Sequence, residues 1–271
     1  MSKTFDELTI KDDFMFGAVM KNPDKCKAVL ECILNIKIRK IEYPEIEKTI
    51  DKTYESKSIR LDVYVEDDKN TIYNIEMQTT NKKNLPKRTR YYQGMIDLNI
   101  INKGDDFNKL KKSYVIFICD YDEFGLERHI YTFEKRCKEI PDLGLGDDTT
   151  VVILNTQGTV DDVSEDMKDL LSFIGGSKPC SELAKSLDEE VRKVKSNEDW
   201  RRDYMTMKML MKENQNVGSY KKVIAQVKKN SHKMTAESMS DILDVDIEVV
   251  DTILENLDMD EEELAEILID L

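Results

Sequence analysis

The chain reads as an α/β protein with a central mixed β-sheet flanked by helices, followed by an all-helical carboxy-terminal region. Three observations predict this. Two alternating apolar–polar runs, Arg60–Val65 and Thr71–Gln78, flank the polar turn Glu66–Asn70 and form a β-hairpin. Short apolar runs at Tyr114–Cys119 and Val151–Leu154 read as strands lying among segments of helical period. From Ser181 onward the chain is polar, helical in period and free of strand signals, which puts a domain boundary near residue 178. The expected organisation is a first domain over 1–178 and a helical region over 179–271, with 271 residues enough for one full core and an appendage.

Along the chain, residues 12–34 read as helical, with Phe14, Phe16, Val19 and Met20 apolar and Pro23 opening a second helix. In that second helix Cys26, Val29, Leu30, Ile33 and Leu34 recur at three-and-four spacing. Ile36–Ile50 looks extended, and Pro44 marks an edge position or a bend. After the hairpin, Leu85–Ile101 is helical, with Gly104 in the loop beyond it. His129–Phe133 is a shorter strand or turn segment.

Composition bounds the function classes. Hydrophobic content of 40% and charged content of 35% describe a globular chain, not a disordered one. The run Val115–Cys119 is far too short to span a bilayer, so no membrane role is expected. The amino terminus lacks a basic-then-apolar pattern, so no secretion signal is expected. Cys26, Cys32, Cys119, Cys137 and Cys180 form no C-x-x-C pair and read as reduced, mostly buried thiols of a cytoplasmic protein. The net charge of −14 argues against a nucleic-acid partner only until it is mapped. Residues 234–271 hold fourteen acidic residues and no Lys or Arg, which leaves the remainder neutral. Within it, Asn81–Arg90 is purely basic, and Arg201–Lys233 carries nine basic residues against Asp203 and Glu213.

The hairpin carries the chemistry. Residues two apart on a strand share a face, so Arg60, Asp62 and Tyr64 point one way, and Leu61, Val63 and Val65 point to a core. On the return strand Asn74, Glu76 and Gln78 share a face opposite Tyr73, Ile75 and Met77. A turn centred near Lys69 pairs Val65 with Tyr73 and sets Asp62 opposite Glu76. Two carboxylates so placed repel unless a cation lies between them. Mg²⁺ or Mn²⁺ suits that place, because hard cations take carboxylate and carbonyl oxygens and keep waters for a substrate phosphate. Gln78, two residues on, is placed to hold water or a phosphate oxygen by hydrogen bonds. Spacing alone also fits the solvent-facing polar side of an amphipathic hairpin. Arg88 and Tyr92 share a helix face and can grip a phosphate; equally, Arg88 can pair with a surface acid while Tyr92 packs. The run with Lys82, Lys83, Lys87, Arg88 and Arg90, ending in Tyr91 and Tyr92, is the candidate DNA-backbone contact.

A longer resemblance extends this reading. Lys57-Ser-Ile-Arg-Leu-Asp-Val-Tyr-Val65 followed by Tyr73-Asn-Ile-Glu-Met-Gln78 resembles the core motif of the PD-(D/E)XK nuclease superfamily, and more narrowly its recombination-promoting nuclease or transposase branch. The similarity continues through Pro86–Tyr92, Lys103–Phe107, Leu110–Ile118 and Phe124, and upstream through Asp13–Phe16, covering about residues 10–175. It implies a restriction-endonuclease-like core and metal-dependent endonucleolytic cleavage of DNA, linked to recombination or mobile elements. It makes Asp62 and Glu76 the ligands of Mg²⁺ or Mn²⁺, with the Met77 carbonyl as third ligand and Asp13 as the acid of the first helix. Gln78 stands where the family usually has lysine, and leucine precedes Asp62 where proline is usual. Lys57 and Lys82 are candidate substitutes for the missing cation. Members of the fold pair to cut both strands, so a homodimer is compatible.

Other signals carry less. Asp120–Glu123 reads as an acidic turn, His129 and His232 lack a nucleophile partner, and Gly144, Gly146, Gly175 and Gly176 read as turns. Thr235–Leu257 reads as two short helices broken at Asp244, but the second is acidic throughout and would repel DNA, which favours packing or a protein partner. The acidic tail also suits a fold-back onto residues 201–233 or onto the DNA site. Two further functions fit the same residues: a nuclease-fold DNA-binding module without efficient catalysis, and an interaction protein acting through the carboxy-terminal helices.

Overall fold

The apolar runs assemble into the middle of a mixed sheet. The computed structural model describes residues 3–43, 49–50, 59–60 and 62–269. A 3-10 turn, Phe5–Glu7, leads into α1 (Asp13–Met20) and α2 (Pro23–Leu34). Then come β1 (Ile41–Glu42), β2 (Thr49–Ile50), β3 (Ile59–Arg60), β4 (Val63–Asp67) and β5 (Ile72–Gln78). After α3 (Leu85–Ile100) follow β6 (Ser113–Cys119), β7 (Ile130–Phe133) and β8 (Thr149–Asn155). The chain continues as α4 (Glu165–Ile174), α5 (Glu182–Lys195), α6 (Glu198–Asn230), α7 (Ala236–Leu243), α8 (Ile247–Glu255) and α9 (Glu261–Ile269).

Six strands form one sheet in the order β1-β4-β5-β6-β8-β7, and β2 and β3 make a separate antiparallel pair. The centre is parallel (β5 with β6, β6 with β8), and the flanking pairs are antiparallel. The expected mixed sheet with helices around it is thus observed. A parallel centre is covered on both faces, and β5 is buried from Ile72 through Met77. Leu85, Tyr92, Met95 and Ile96 of α3 pack against Tyr64, Ile72, Val115 and Phe117 on one face. On the other face α1 packs against β5.

Local chemistry explains the boundaries. Asn22 caps α2 by accepting from the Asp24 amide, with Pro23 in the first turn, and Asn35 ends the helix in the left-handed region. In the β4–β5 turn Asp67 accepts from the Lys69 amide at 2.9 Å, the Thr71 amide at 2.8 Å and the Tyr73 hydroxyl at 2.8 Å. Asn70 takes positive φ there. That carboxylate sets the register Val65↔Tyr73 and Val63↔Ile75, the pairing the alternation predicts.

Three expectations change, for one strand, one helix and the thiols. The strand expected over Arg60–Val65 starts at Val63; Asp62 lies in a bend, and Arg60 pairs with β2 instead. Lys57, Leu61 and Pro44 fall outside the described residues. Helix α4 has no counterpart in the sequence reading, although Ser164 caps it and Met167, Leu170, Leu171 and Ile174 recur at helical spacing. The first compact unit runs Met1–Trp200, so the composition change at residue 178 falls inside it. The reason is α5, whose polar residues dominate composition while Ala184, Leu187, Val191 and Val194 are buried and the helix packs on α1, α2 and α4. Among the thiols, Cys26 and Cys119 are buried, Cys32 and Cys137 half-buried and Cys180 exposed, so burial holds for fewer than expected.

The second unit, Arg201–Leu271, has its own core. Ile224 and Val227 of α6 pack with Met239, Val250, Ile253 and Leu264 from the three helices that follow. Asp244 turns the chain between α7 and α8 in the left-handed region, at the expected break. Lys221 pairs with Glu262 at 2.9 Å, and Lys228 donates to the Met259 carbonyl at 2.6 Å. Within this unit the acidic helices therefore fold onto the carboxy-terminal half of α6, held mainly by apolar burial. No helix among the described residues is long and apolar enough to cross a membrane.

Candidate metal and phosphate site

Where the β4–β5 ladder stops, two carboxylates take over its bonding. Continuing the register past Val63↔Ile75 sets Asp62 opposite Glu76. The Asp62 amide donates to Glu76 Oε1 at 3.2 Å, and the Met77 amide donates to Asp62 Oδ2 at 3.0 Å. Side chains thus replace ladder carbonyls on both strands, which explains the bend at Asp62. Helix α1 passes close by: a Cβ at Gly17 would stand 3.6 Å from the Asp62 carbonyl oxygen.

Glu76 is 3% exposed. Burial, and then the charge of Asp62, push its pKa well above the ordinary carboxylate value. Three groups pull it back: the Asp62 amide, the Asn74 side chain and the Tyr92 hydroxyl. Asn74 lies close on the same strand face, wholly buried and without a regular hydrogen bond. An alternating hairpin with one solvent face does not predict so buried a glutamate; cover from α3 produces it.

The site opens into a cavity of about 740 Å³ that Asp13, Asp62, Glu76, Met77 and Gln78 all line. Burial, and then Asp12, raise the Asp13 pKa, while Arg88 acts against them. Lys82, Lys87, Arg88 and Tyr92 line the same cavity. Lys83 and Arg90, from the same basic run, are exposed and do not line it. The cavity also takes in Tyr91, Asn84, Thr79 and Thr80, of which the sequence reading flagged only Tyr91.

Gln78 is engaged within the protein at both ends of its side chain. Its Nε2 donates to the Thr80 carbonyl at 2.6 Å, and its Oε1 accepts from Arg88 Nη1. Arg88 Nη2 reaches the Tyr92 hydroxyl at 3.1 Å, and its guanidinium carbon stands 5.2 Å from the centre of the Phe117 ring. Of the two sequence alternatives the bland one fails in part: Tyr92 does pack, but Arg88 turns inward to Gln78 and Tyr92 instead of meeting a surface acid. Burial opposes its charge, yet the Tyr92 bond and the nearby Glu76 outweigh burial and raise its pKa. Burial and Glu76 push Tyr92 up to about 12.

Among the described residues no three His, Cys, Asp or Glu side chains gather as a metal cluster. The candidate donors are the carboxylates of Asp62 and Glu76, with Met77 lining the same cavity, a hard and anionic set. Such a set suits a cation that keeps part of its water shell.

A family model described as PD-(D/E)XK nuclease family transposase matches residues 11–155. No curated protein and no solved structure matches the chain. The matched span starts just before α1 and ends with β8, and so contains every residue lining the cavity. More than half the chain is covered, and the resemblance carried by Asp62, Glu76 and Gln78 is that of the same family. The chain belongs to the PD-(D/E)XK nuclease family transposases.

Proposed function

We propose that the chain is an endonuclease that hydrolyses DNA phosphodiesters with Mg²⁺ or Mn²⁺, linked to recombination or mobile elements, a setting in keeping with its family's description as transposases. The observation that carries this reading is the bonding of the two carboxylates to facing main-chain amides, Glu76 to that of Asp62 and Asp62 to that of Met77, which brings both acids to one buried corner of an open cavity. Asp62, Glu76 and the Met77 carbonyl would hold the ion. When bound, such an ion supplies Lewis acidity to water and to the phosphate.

The chain's own groups do the remainder. Glu76 must be deprotonated to serve as a ligand, so ion binding displaces the proton that burial favours. Lys82 and Lys87 line the cavity mouth and offer positive charge to the DNA backbone. Hydrolysis forms a bond from water oxygen to phosphorus and breaks the P–O3′ bond; one water proton goes to solvent and the 3′ oxygen takes one up.

Supercoiled plasmid incubated with Mg²⁺, Mn²⁺ or EDTA tests the reading. Nicking in either metal, none in EDTA and none with Asp62→Ala or Glu76→Ala is expected. Nicking that persists in EDTA or in either variant overturns the mechanism. DNA binding without any cutting would favour a nuclease-fold binding module.

A further inference from the structure

Gln78 occupies the motif position where a lysine would carry positive charge, and its side chain is engaged at both ends. A carbonyl only accepts and a guanidinium only donates, so Nε2 must face Thr80 and Oε1 must face Arg88, as observed. A lysine here could not accept from Arg88 and would crowd a second cation against it.

The guanidinium is restrained on several sides. Gln78 takes one arm and the Tyr92 hydroxyl the other at 3.1 Å, while the Phe117 and Tyr92 rings stand 5.2 and 5.5 Å from the guanidinium carbon. Its stem leaves the first turn of α3, which Leu85 and Tyr92 anchor in the core. Around it stand Glu76, Asp13 and Tyr121. A guanidinium has more N–H groups than these two bonds use, so donors remain for an anion in the cavity. Lys82 and Lys87, which also line the cavity, are exposed.

We propose that Arg88 is the catalytic cation of this site, donating to the phosphate as charge builds on it. Gln78 is then a positioning residue that holds the guanidinium in place. The proposal rests on the nuclease reading of the same cavity and assigns the positive charge that the motif position itself lacks. It also gives Gln78 a reason to be glutamine: the side chain must accept from Arg88 and donate to Thr80 at once.

A double-mutant cycle tests it, with kcat and KM for plasmid nicking measured for wild type, Gln78→Ala, Arg88→Ala and the double variant. Loss of one preorganised donor to a transition-state oxyanion lowers kcat by about 100-fold, and Arg88→Ala is expected to do the same with little change in KM. Gln78→Ala should lower kcat too, while the double variant should be no slower than Arg88→Ala alone, because the two act as a unit. Losses that multiply overturn the positioning role, as does an Arg88→Ala enzyme with unchanged kcat. Adding Gln78→Lys to the Arg88→Ala enzyme should recover about tenfold in kcat by returning a cation to the motif position. A purely structural role for Gln78 predicts no such rescue. If the wild type does not nick DNA, the nuclease reading falls separately. The cycle is then read from duplex DNA affinity of the same four proteins in Ca²⁺: a non-additive loss upholds the clamp, and an additive one overturns it.

Discussion

The main-chain amide of Asp62 donates to the Glu76 carboxylate at 3.2 Å. This bond ties the two acids of the cavity through the backbone, so their separation is set by the sheet and not by flexible side-chain packing. The neighbouring bond from the Met77 amide to Asp62 completes the arrangement. Removing either acid frees a strand terminus as well as a ligand, so conservative replacements report on charge better than truncation to alanine does.

Glu76→Gln should therefore stabilise the metal-free protein at alkaline pH. Burial and Asp62 raise the folded pKa of Glu76 above its ordinary value of 4.5. A raised acid pKa means the folded state binds the proton more tightly than the unfolded chain. Stability is thus highest below the unfolded value and falls as pH rises through the folded one. In EDTA, at a pH above the folded value, the variant should melt above wild type, and the difference should vanish in acid. Equal melting temperatures across the pH range would contradict the buried, charge-opposed state of Glu76.

The same proton links metal binding to pH. Mn²⁺ must displace it, so affinity measured by titration calorimetry should strengthen as pH rises through the raised folded pKa of Glu76, with proton release detectable across buffers of different ionisation enthalpy. Binding that releases no proton and an affinity that stays flat at every pH above the ordinary carboxylate value would remove Glu76 from the ligand set.

Asp67 should matter to folding and not to chemistry. It is 8% exposed and accepts three hydrogen bonds in the β4–β5 turn. Asp67→Ala leaves the donors of a buried carboxylate unpaired and should cost roughly 3 kcal/mol in urea unfolding, while Tyr73→Phe, which loses one bond, should cost about 1. A loss below about 0.5 kcal/mol for Asp67→Ala would show that the turn does not depend on this residue.

How far the sequence revealed this molecule depends on the element. The hairpin register was legible because Val65 and Tyr73 flank a polar turn and alternation leaves one pairing that buries both. Strand β6 was legible as an apolar run. The depth of Glu76 was not, since the sequence does not say that α3 covers the polar face of β5. Nor was the Gln78–Arg88 bond, which joins a strand end to a helix start across a ten-residue separation. The packing of α5 was not legible either, because it buries only a narrow stripe and its polar faces dominate composition. Arg88 and Tyr92 were recognisable as one helix face, but their inward orientation depends on Phe117 and Gln78.

The second unit offers an independent check of packing. Ile253 is wholly buried among α6, α7 and α9 residues. Ile253→Ala should cost about 2–5 kcal/mol and lower hydrogen-exchange protection across α7, α8 and α9 together. Loss confined to α8 would mean that the three helices do not share one core.

Anomalous diffraction from crystals grown with Mn²⁺ near neutral pH tests the central claim most directly. The account predicts one peak in the cavity, bounded by the carboxylates of Asp62 and Glu76 and the carbonyl of Met77, and its loss in Glu76→Gln. A cavity without such a peak, at Mn²⁺ concentrations that support nicking, would contradict it.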